Sequence, residues 1–291
     1  MKQYIGVDIG GTSAKYGLIA EDGTILRRGS FQTAGLRSRK PFVSRLFAAV
    51  DGLSPEAAEG IGVCTLGAVD PERGLIADCA NNLPFLEGLN LKQVLQEQFR
   101  LPVKLCNDAN AVALCEHWLG AGRGCAHFFC VTFGTGLGAA LVIHSKIYEG
   151  AHLRAGEVCY QDYSSGEENL EKEISTQNVM KRAAERLGLP ALDGHGFFSR
   201  LRAGDAVVAE EFARWMDRSA RMLANIITVF DPEKIIIGGG ISSESGILLP
   251  ELRTRVARML PQEFRKDVVI EAAQFTNDAG ILGAVSPFVS G

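Results

Sequence analysis

Apolar residues in this chain come in short dense runs separated by glycine-rich breaks, not at one sustained helical period. Positions 3–9 are mostly apolar and stop at Gly10-Gly11-Thr12. The pattern resumes over 14–20, breaks at Glu21-Asp22-Gly23 and continues over 24–31. That rhythm predicts three strands joined by a glycine turn at 10–13 and a hairpin turn at 21–23, an antiparallel meander and not a strand–turn–helix unit. The same rhythm returns at 126–149: a strand over 126–133, a turn at Gly134-Thr135-Gly136, a strand over 137–143, a polar turn at His144-Ser145 and a strand over 146–149. A shorter echo is Asn107-Asp108-Ala109, opening a helix after a strand at 103–106, matched by Asn277-Asp278-Ala279 after a strand at 268–274. Two related halves are implied. Further elements alternate strand with helix: a buried strand at 61–65, helices at 91–99, 109–119 and 167–188, and a long amphipathic helix from about 205 to 229. Asp231-Pro232 ends that last helix before a strand at 234–237. The class is α/β, with a mixed sheet and flanking helices in each half.

At 291 residues the chain has room for two modest domains. The repeat divides it into 1–115 plus 280–291 and 116–279. Thirty-three glycines are too many for a helical bundle, and they gather where strand runs end, which is where α/β proteins build ligand sites. A net charge of −4 without any Lys/Arg-rich run argues against a nucleic-acid partner. No leader-like segment opens the chain and no apolar stretch reaches the roughly 20 residues of a membrane span, so a soluble cytoplasmic protein is expected. Seven cysteines without C-x-x-C spacing read as reduced, buried small hydrophobes, and the five histidines show no metal spacing.

Three glycine clusters carry candidate chemistry. Asp8-Ile9-Gly10-Gly11-Thr12 closes a buried strand, where two glycines let backbone approach a bulky anion and offer N–H donors beside the Thr12 hydroxyl. A tight hairpin turn explains the same residues equally well. Thr132-Phe133-Gly134-Thr135-Gly136 repeats that chemistry in the other half, and two such hairpins facing one cleft would clamp a polyphosphate. Neither fits the Walker or the Rossmann pattern. Gly238-Gly239-Gly240 ends a strand, either as a flat platform for a purine or ribose or as a strand-to-helix turn. Asp108, between a strand end and a helix start, is an N-cap on the plain reading and a general base on the functional one.

Taken together, Asp8-Ile-Gly-Gly-Thr with Lys15, Asn107-Asp108-Ala109-Asn110, the Thr132–Gly138 run, Gly150 with Ala155-Gly156-Glu157, Ile237-Gly-Gly-Gly-Ile-Ser and Asp278-Ala-Gly-Ile-Leu-Gly-Ala resemble the ROK family of sugar kinases and repressors, in order along nearly the whole chain. The resemblance implies the two-lobed actin-like ATPase (ribonuclease H-like) fold, ATP and Mg²⁺ as cofactors, the ion near Asp8, a homodimer, and phosphoryl transfer to a sugar hydroxyl such as O6. It implies that Asp8, Gly10, Gly11, Thr12, Lys15, Thr132, Gly134, Thr135 and Gly136 hold phosphates, that Gly238, Gly239 and Gly240 lie near adenosine, and that Asp108 is the catalytic base. Gly67, Asn82, Asn107, Glu157, Tyr160 and Glu171 match sugar-side positions.

The sequence departs from that family in one place. Where members carry G-E-x-G-H and a cysteine-rich zinc loop, this chain reads Gly156-Glu157-Val158-Cys159-Tyr160 and then residues without cysteine. The ligands of a tetrahedral zinc site are missing, so no structural zinc is expected. Tyr in place of His resembles β-glucoside kinases, among others, and leaves glucose, N-acetylmannosamine, another hexose or a β-glucoside open as substrate. A repressor of the same family would carry a helix-turn-helix ahead of the Asp8 turn, which here begins within ten residues of Met1; a non-catalytic sugar sensor is the other alternative.

Overall fold

The computed structural model describes residues 1–78, 83–161, 169–265, 267 and 269–290. The chain divides into two compact units, one made of Met1–Arg123, Glu149–Ala155 and Asn277–Gly291, the other of Gly124–Tyr148 and Gly156–Thr276.

In the first unit, β1 (Gln3–Ile9), β2 (Ser13–Ala20), β3 (Ile25–Gln32), β4 (Ile61–Thr65) and, after a small hairpin of β5 (Ala68–Asp70) and β6 (Leu75–Asp78), β7 (Val103–Asn107) are the strands. The main sheet runs β3-β2-β1-β4-β7, antiparallel through the meander and parallel across β1, β4 and β7. In the second unit β8 (Phe128–Phe133), β9 (Leu137–Ile143), β10 (Lys146–Ile147), β11 (Lys234–Gly239) and β12 (Val269–Ala272) form a sheet in the order β10-β9-β8-β11-β12. The second sheet repeats the first in order and in sense. The central parallel strands β4 and β8 are apolar on both faces, as strands covered on both sides must be.

Each unit has its own core. Ile5, Val7, Ile9, Ile61 and Val63 pack with Phe42, Leu46 and Val50 of the helix Arg39–Asp51. In the second unit Phe129, Val131, Ile235 and Ile237 pack with the long helix Ala206–Phe230, whose fully buried Trp215 meets Phe133, Phe197, Phe198 and Phe212 in edge-on or tilted ring contacts.

The helix expected over 167–188 is broken in its described part. It forms Leu170–Ile174 and Thr176–Arg186, with Ser175 extended between them. The break frees the Ile174 carbonyl, which accepts the Trp215 indole N–H at 2.8 Å, so a tertiary hydrogen bond overrides local helical propensity. The strand expected over 146–149 shortens to Lys146–Ile147, because Glu149 already belongs to the other unit. Among the described residues no helix is long and apolar enough to cross a membrane.

The closest packing in the first unit is backbone on backbone. The helix Ala279–Val289 lies on β1 and β4 and against the helix Asp108–Leu119. A Cβ at Gly6 would come within 2.3 Å of the Ile281 carbonyl oxygen, one at Gly62 within 2.0 Å of that of Ala284, and one at Gly283 within 1.7 Å of that of Ala111. Gly283→Ala must push the two helices apart and is expected to lower unfolding free energy by about 1–3 kcal/mol, the usual range for overpacking. Denaturant unfolding of the variant beside wild type measures it, and an unchanged midpoint would contradict the contact.

Candidate active site

The C-terminal ends of β1, β4 and β7 carry the first group of candidate residues. Parallel register puts Asp8, Cys64 and Cys106 in one row and Ile9, Thr65 and Asn107 in the next. The turn after β1 is held by its carbonyls: Gly10 O accepts from the Thr33 hydroxyl at 2.7 Å, and Thr12 O accepts from Thr33 N and Ala34 N. The N–H groups of Gly11 and Thr12 donate to no group among the described residues. That leaves two adjacent donors for an anion.

Asp8 lies in register opposite Lys15 and accepts from the Cys64 thiol at 3.5 Å. Its Oδ2 stands 2.5 Å from where a Cβ on Gly280 would be, so glycine is required there to admit the carboxylate to the start of the helix Ala279–Val289. Burial pushes the Asp8 carboxyl above its ordinary range, and the charge of Lys15 and the thiol offset this only in part. Lys15 Nζ donates to Asn277 O at 2.9 Å, and Arg28 pairs with Asp278 at 3.3 Å, which ties the meander to the segment leading into that helix.

Asp108 is exposed and is the first residue of the helix Asp108–Leu119. Its cap is Asn107, whose Oδ1 accepts from Ala109 N at 2.8 Å and Asn110 N at 3.3 Å while Nδ2 donates to Gly67 O at 2.9 Å. The capping role therefore falls to the neighbour. Asp108 Oδ1 accepts from Ala109 N at 2.9 Å. Gly67, with φ of +88°, supplies the positive backbone angle that lets its carbonyl meet Asn107. Asn82 lies outside the described residues.

Glu149 carries no motif of its own and escapes a reading by motif. It belongs to the first unit, where burial and then the like charges of Asp70 and Glu72 push its carboxyl upward. Its charge also reaches Cys106, together with those of Asp108 and Asp8. The only sign in the sequence is its place directly before Gly150. Cys64 and Cys106 are buried among these carboxylates and their thiols are pushed far up, so neither is a thiolate nucleophile.

In the second unit the ends of β8 and β11 meet. Gly238 pairs with Thr132 and Gly239 with Phe133, so two clusters distant in sequence form one edge. Gly239 has φ of +90°, and a Cβ there would lie 2.1 Å from Phe133 O. Gly134 and Gly240 differ: neither has positive φ, and a Cβ on either would meet nothing within 4 Å. Neither backbone strain nor packing in this unit demands glycine at these two positions, and both leave open space beside the backbone. Gly134 N donates to Gly136 O at 3.0 Å, and the N–H groups of Thr135 and Gly136 donate to no group among the described residues. The Thr132 hydroxyl donates to Gly138 O at 3.2 Å.

Glu157 and Glu171 lie near this edge. Glu171 accepts from Leu137 N at 2.9 Å, Glu157 accepts from the Cys159 thiol at 3.5 Å, and both charges join burial in pushing that thiol up to about 12. Tyr160 is 53% exposed. Residues 162–168, where the zinc loop of the resemblance would fall, lie outside the described residues.

The ROK family pattern matches residues 4–289. The β-glucoside kinase of Klebsiella pneumoniae is 32% identical over 292 residues, covering 97% of this chain and 94% of its own length. The glucokinase of Thermotoga maritima is 31% identical over 304 residues, covering 97% and 96%. A solved ROK glucokinase from Streptomyces griseus, in complex with glucose and AMPPNP, superposes with a TM-score of 0.83 at 29% identity, over 97% of each chain. The fold is that of the actin-like ATPases, in the form used by ROK sugar kinases. The chain belongs to the ROK family.

The environment of Asp8 gives a pH-dependent expectation. With the folded-state pKa raised above the unfolded one, the folded chain binds more protons, so the ionised carboxylate costs stability as pH rises through that range. Asp8→Asn is therefore expected to raise the thermal midpoint of the ligand-free protein at pH 7, with the gain shrinking as pH falls and both forms become neutral. Thermal scans of both proteins between pH 4 and pH 7 check this, and a variant less stable than wild type at pH 7 would refute the assignment.

Proposed function

We propose that the chain is an ATP-dependent sugar kinase in which Asp108 takes the proton of the accepting hydroxyl. The observation that carries the reading is that Asp108 is exposed directly after the C-terminal end of β7, as the first residue of a helix capped by its neighbour Asn107. The acceptor is the primary hydroxyl O6 of a hexose, a hexosamine derivative or a β-glucoside, the least crowded hydroxyl of a hexose ring. Its oxygen forms a bond to the γ-phosphorus as the bond to the β–γ bridging oxygen breaks and ADP leaves, while the proton passes to Asp108. The N–H groups of Gly11, Thr12, Thr135 and Gly136 meet phosphate charge, and the open space over Gly240 suits the adenosine. Asp8 would hold the Mg²⁺ that accompanies ATP, since a buried carboxylate only partly offset by Lys15 is short of positive charge; bound there, the ion would neutralise charge on the phosphoryl oxygens. The sugar-side residues of this reading are Gly67, Asn82, Asn107, Glu157, Tyr160 and Glu171. The β-glucoside kinase and glucokinase relatives, with Tyr160 where many members have histidine, support glucose and β-glucosides as first substrates to try. ADP release over a panel of hexoses and glucosides with ATP–Mg²⁺ tests the reading, and no release with any of them would overturn it.

Asp108→Asn keeps an acceptor for Ala109 N while removing the base. Turnover is expected to fall by roughly 10²–10⁴-fold, with AMPPNP and sugar dissociation constants close to wild type. Wild-type turnover in the variant would remove Asp108 from the mechanism.

Zinc has no place in this reading, because the family's cysteine ligands are absent from the sequence. Elemental analysis of purified protein is expected to find no stoichiometric zinc and chelation to leave activity unchanged; about one tightly held zinc per chain would contradict it.

A further inference from the structure

We infer that Glu171 is a positioning residue for the nucleotide's phosphate turn, so that one carboxylate joins the sugar side of the second unit to its phosphate side. The inference rests on the sugar-kinase reading and deepens it: Glu171 enters that reading only as a sugar-side position, and the geometry gives it a second partner.

The turn Gly134–Gly136 is held at three points. Gly134 N donates to Gly136 O across the turn itself. Gln177 N donates to Gly134 O at 3.3 Å, and Leu137 N donates to Glu171 Oε2 at 2.9 Å. The last two supports both come from the interrupted helical segment 171–177, one from the start of each of its short helices. Only the Glu171 support uses a side chain, so only it can be removed without rebuilding the backbone.

Charge makes the arrangement informative. A carboxylate beside a turn whose neighbouring amides face an anion opposes that anion electrostatically, and such a placement is costly unless the carboxylate fixes the turn. Its Oε2 is so close that a Cβ on Gly136 would come within 2.6 Å of it. On the other side, Glu157 and Glu171 act together on the Cys159 thiol, which puts both carboxylates within electrostatic reach of one atom. A sugar hydroxyl that draws on Glu171 therefore acts on the turn through Leu137, and an ordered turn presents Glu171 to the sugar. Linkage then requires nucleotide and sugar to alter each other's affinity by the same factor.

The test is the dissociation constant of AMPPNP, measured calorimetrically without sugar for wild type, Glu171→Gln and Glu171→Ala, each first checked for its thermal midpoint. Glu171→Ala leaves the Leu137 N–H without its acceptor and is expected to weaken AMPPNP roughly tenfold, while Glu171→Gln, which keeps an acceptor oxygen, stays within about threefold of wild type. An AMPPNP constant unchanged in Glu171→Ala, with only the sugar KM raised, would overturn the inference and leave Glu171 as a plain sugar contact. Should Glu171→Ala fail to fold, Gly136→Ala displaces the same carboxylate from its seat. It is expected to weaken AMPPNP likewise, and an unchanged constant there overturns the inference too. Wild-type protein that binds no AMPPNP would overturn the kinase reading beneath it, a result distinct from any difference among the variants.

Discussion

Everything in the first unit depends on one close approach: the helix Ala279–Val289 lies with its backbone directly on the strands Gln3–Ile9 and Ile61–Thr65 and on the helix Asp108–Leu119. Gly6, Gly62 and Gly283 are the residues that permit it, since a methyl group at any of them would overlap a carbonyl. Contact at that distance fixes the start of the helix relative to the strand ends, and with it the placement of Asp8 over Gly280. Dispersion contacts at such short range are lost quickly when elements separate, so the arrangement is stiff. Under the proposed function, stiffness is what Asp8 holding an ion and Asp108 accepting a proton would both require.

The second unit reaches a similar end by a different route. Its sheet has the same order and sense, and among the described residues the long helix Ala206–Phe230, centred on Trp215, shares its core with the helix Ser245–Met259. The glycines here serve the edge of the sheet. Gly239 lets the ends of two parallel strands close on each other, while Gly134 and Gly240 leave space above. The carboxylates of the first unit, Asp8 and Glu149 above all, are held in surroundings that penalise their charge. A protein that keeps such groups gives up stability for chemistry.

Much of this was legible in the sequence, for physical reasons that differ from residue to residue. The two meanders could be read because alternation and glycine breaks are local, and hairpin register is set by turn position. The strand pair joining Thr132 to Gly238 could not, because parallel pairing links segments about a hundred residues apart without a local signal. The roles of Asn107 and Asp108 were ambiguous for a related cause: both are good caps, and only the dihedral angles and the bond to Gly67 decide between them. The break at Ser175 was hidden because Glu, Lys and Ala around it favour helix, and the bond that interrupts it comes from Trp215, forty residues on. Glu149 was invisible because its surroundings are assembled from other parts of the chain.

The placement of the helix Ala279–Val289 has a consequence for biosynthesis. A ribosome delivers the strand Gln3–Ile9 first and, within this sequence, the helix that seals it last, so the glycine-faced side of that strand stays uncovered while nearly all the intervening chain emerges. Contacts between such distant segments carry a large loop-closure cost and form late. The second unit, whose two segments both lie between those ends, can condense earlier. Completion of the first unit thus waits on its last segment, Asn277–Gly291, so the N-terminal portion of this chain is not the first to be finished, against the usual order.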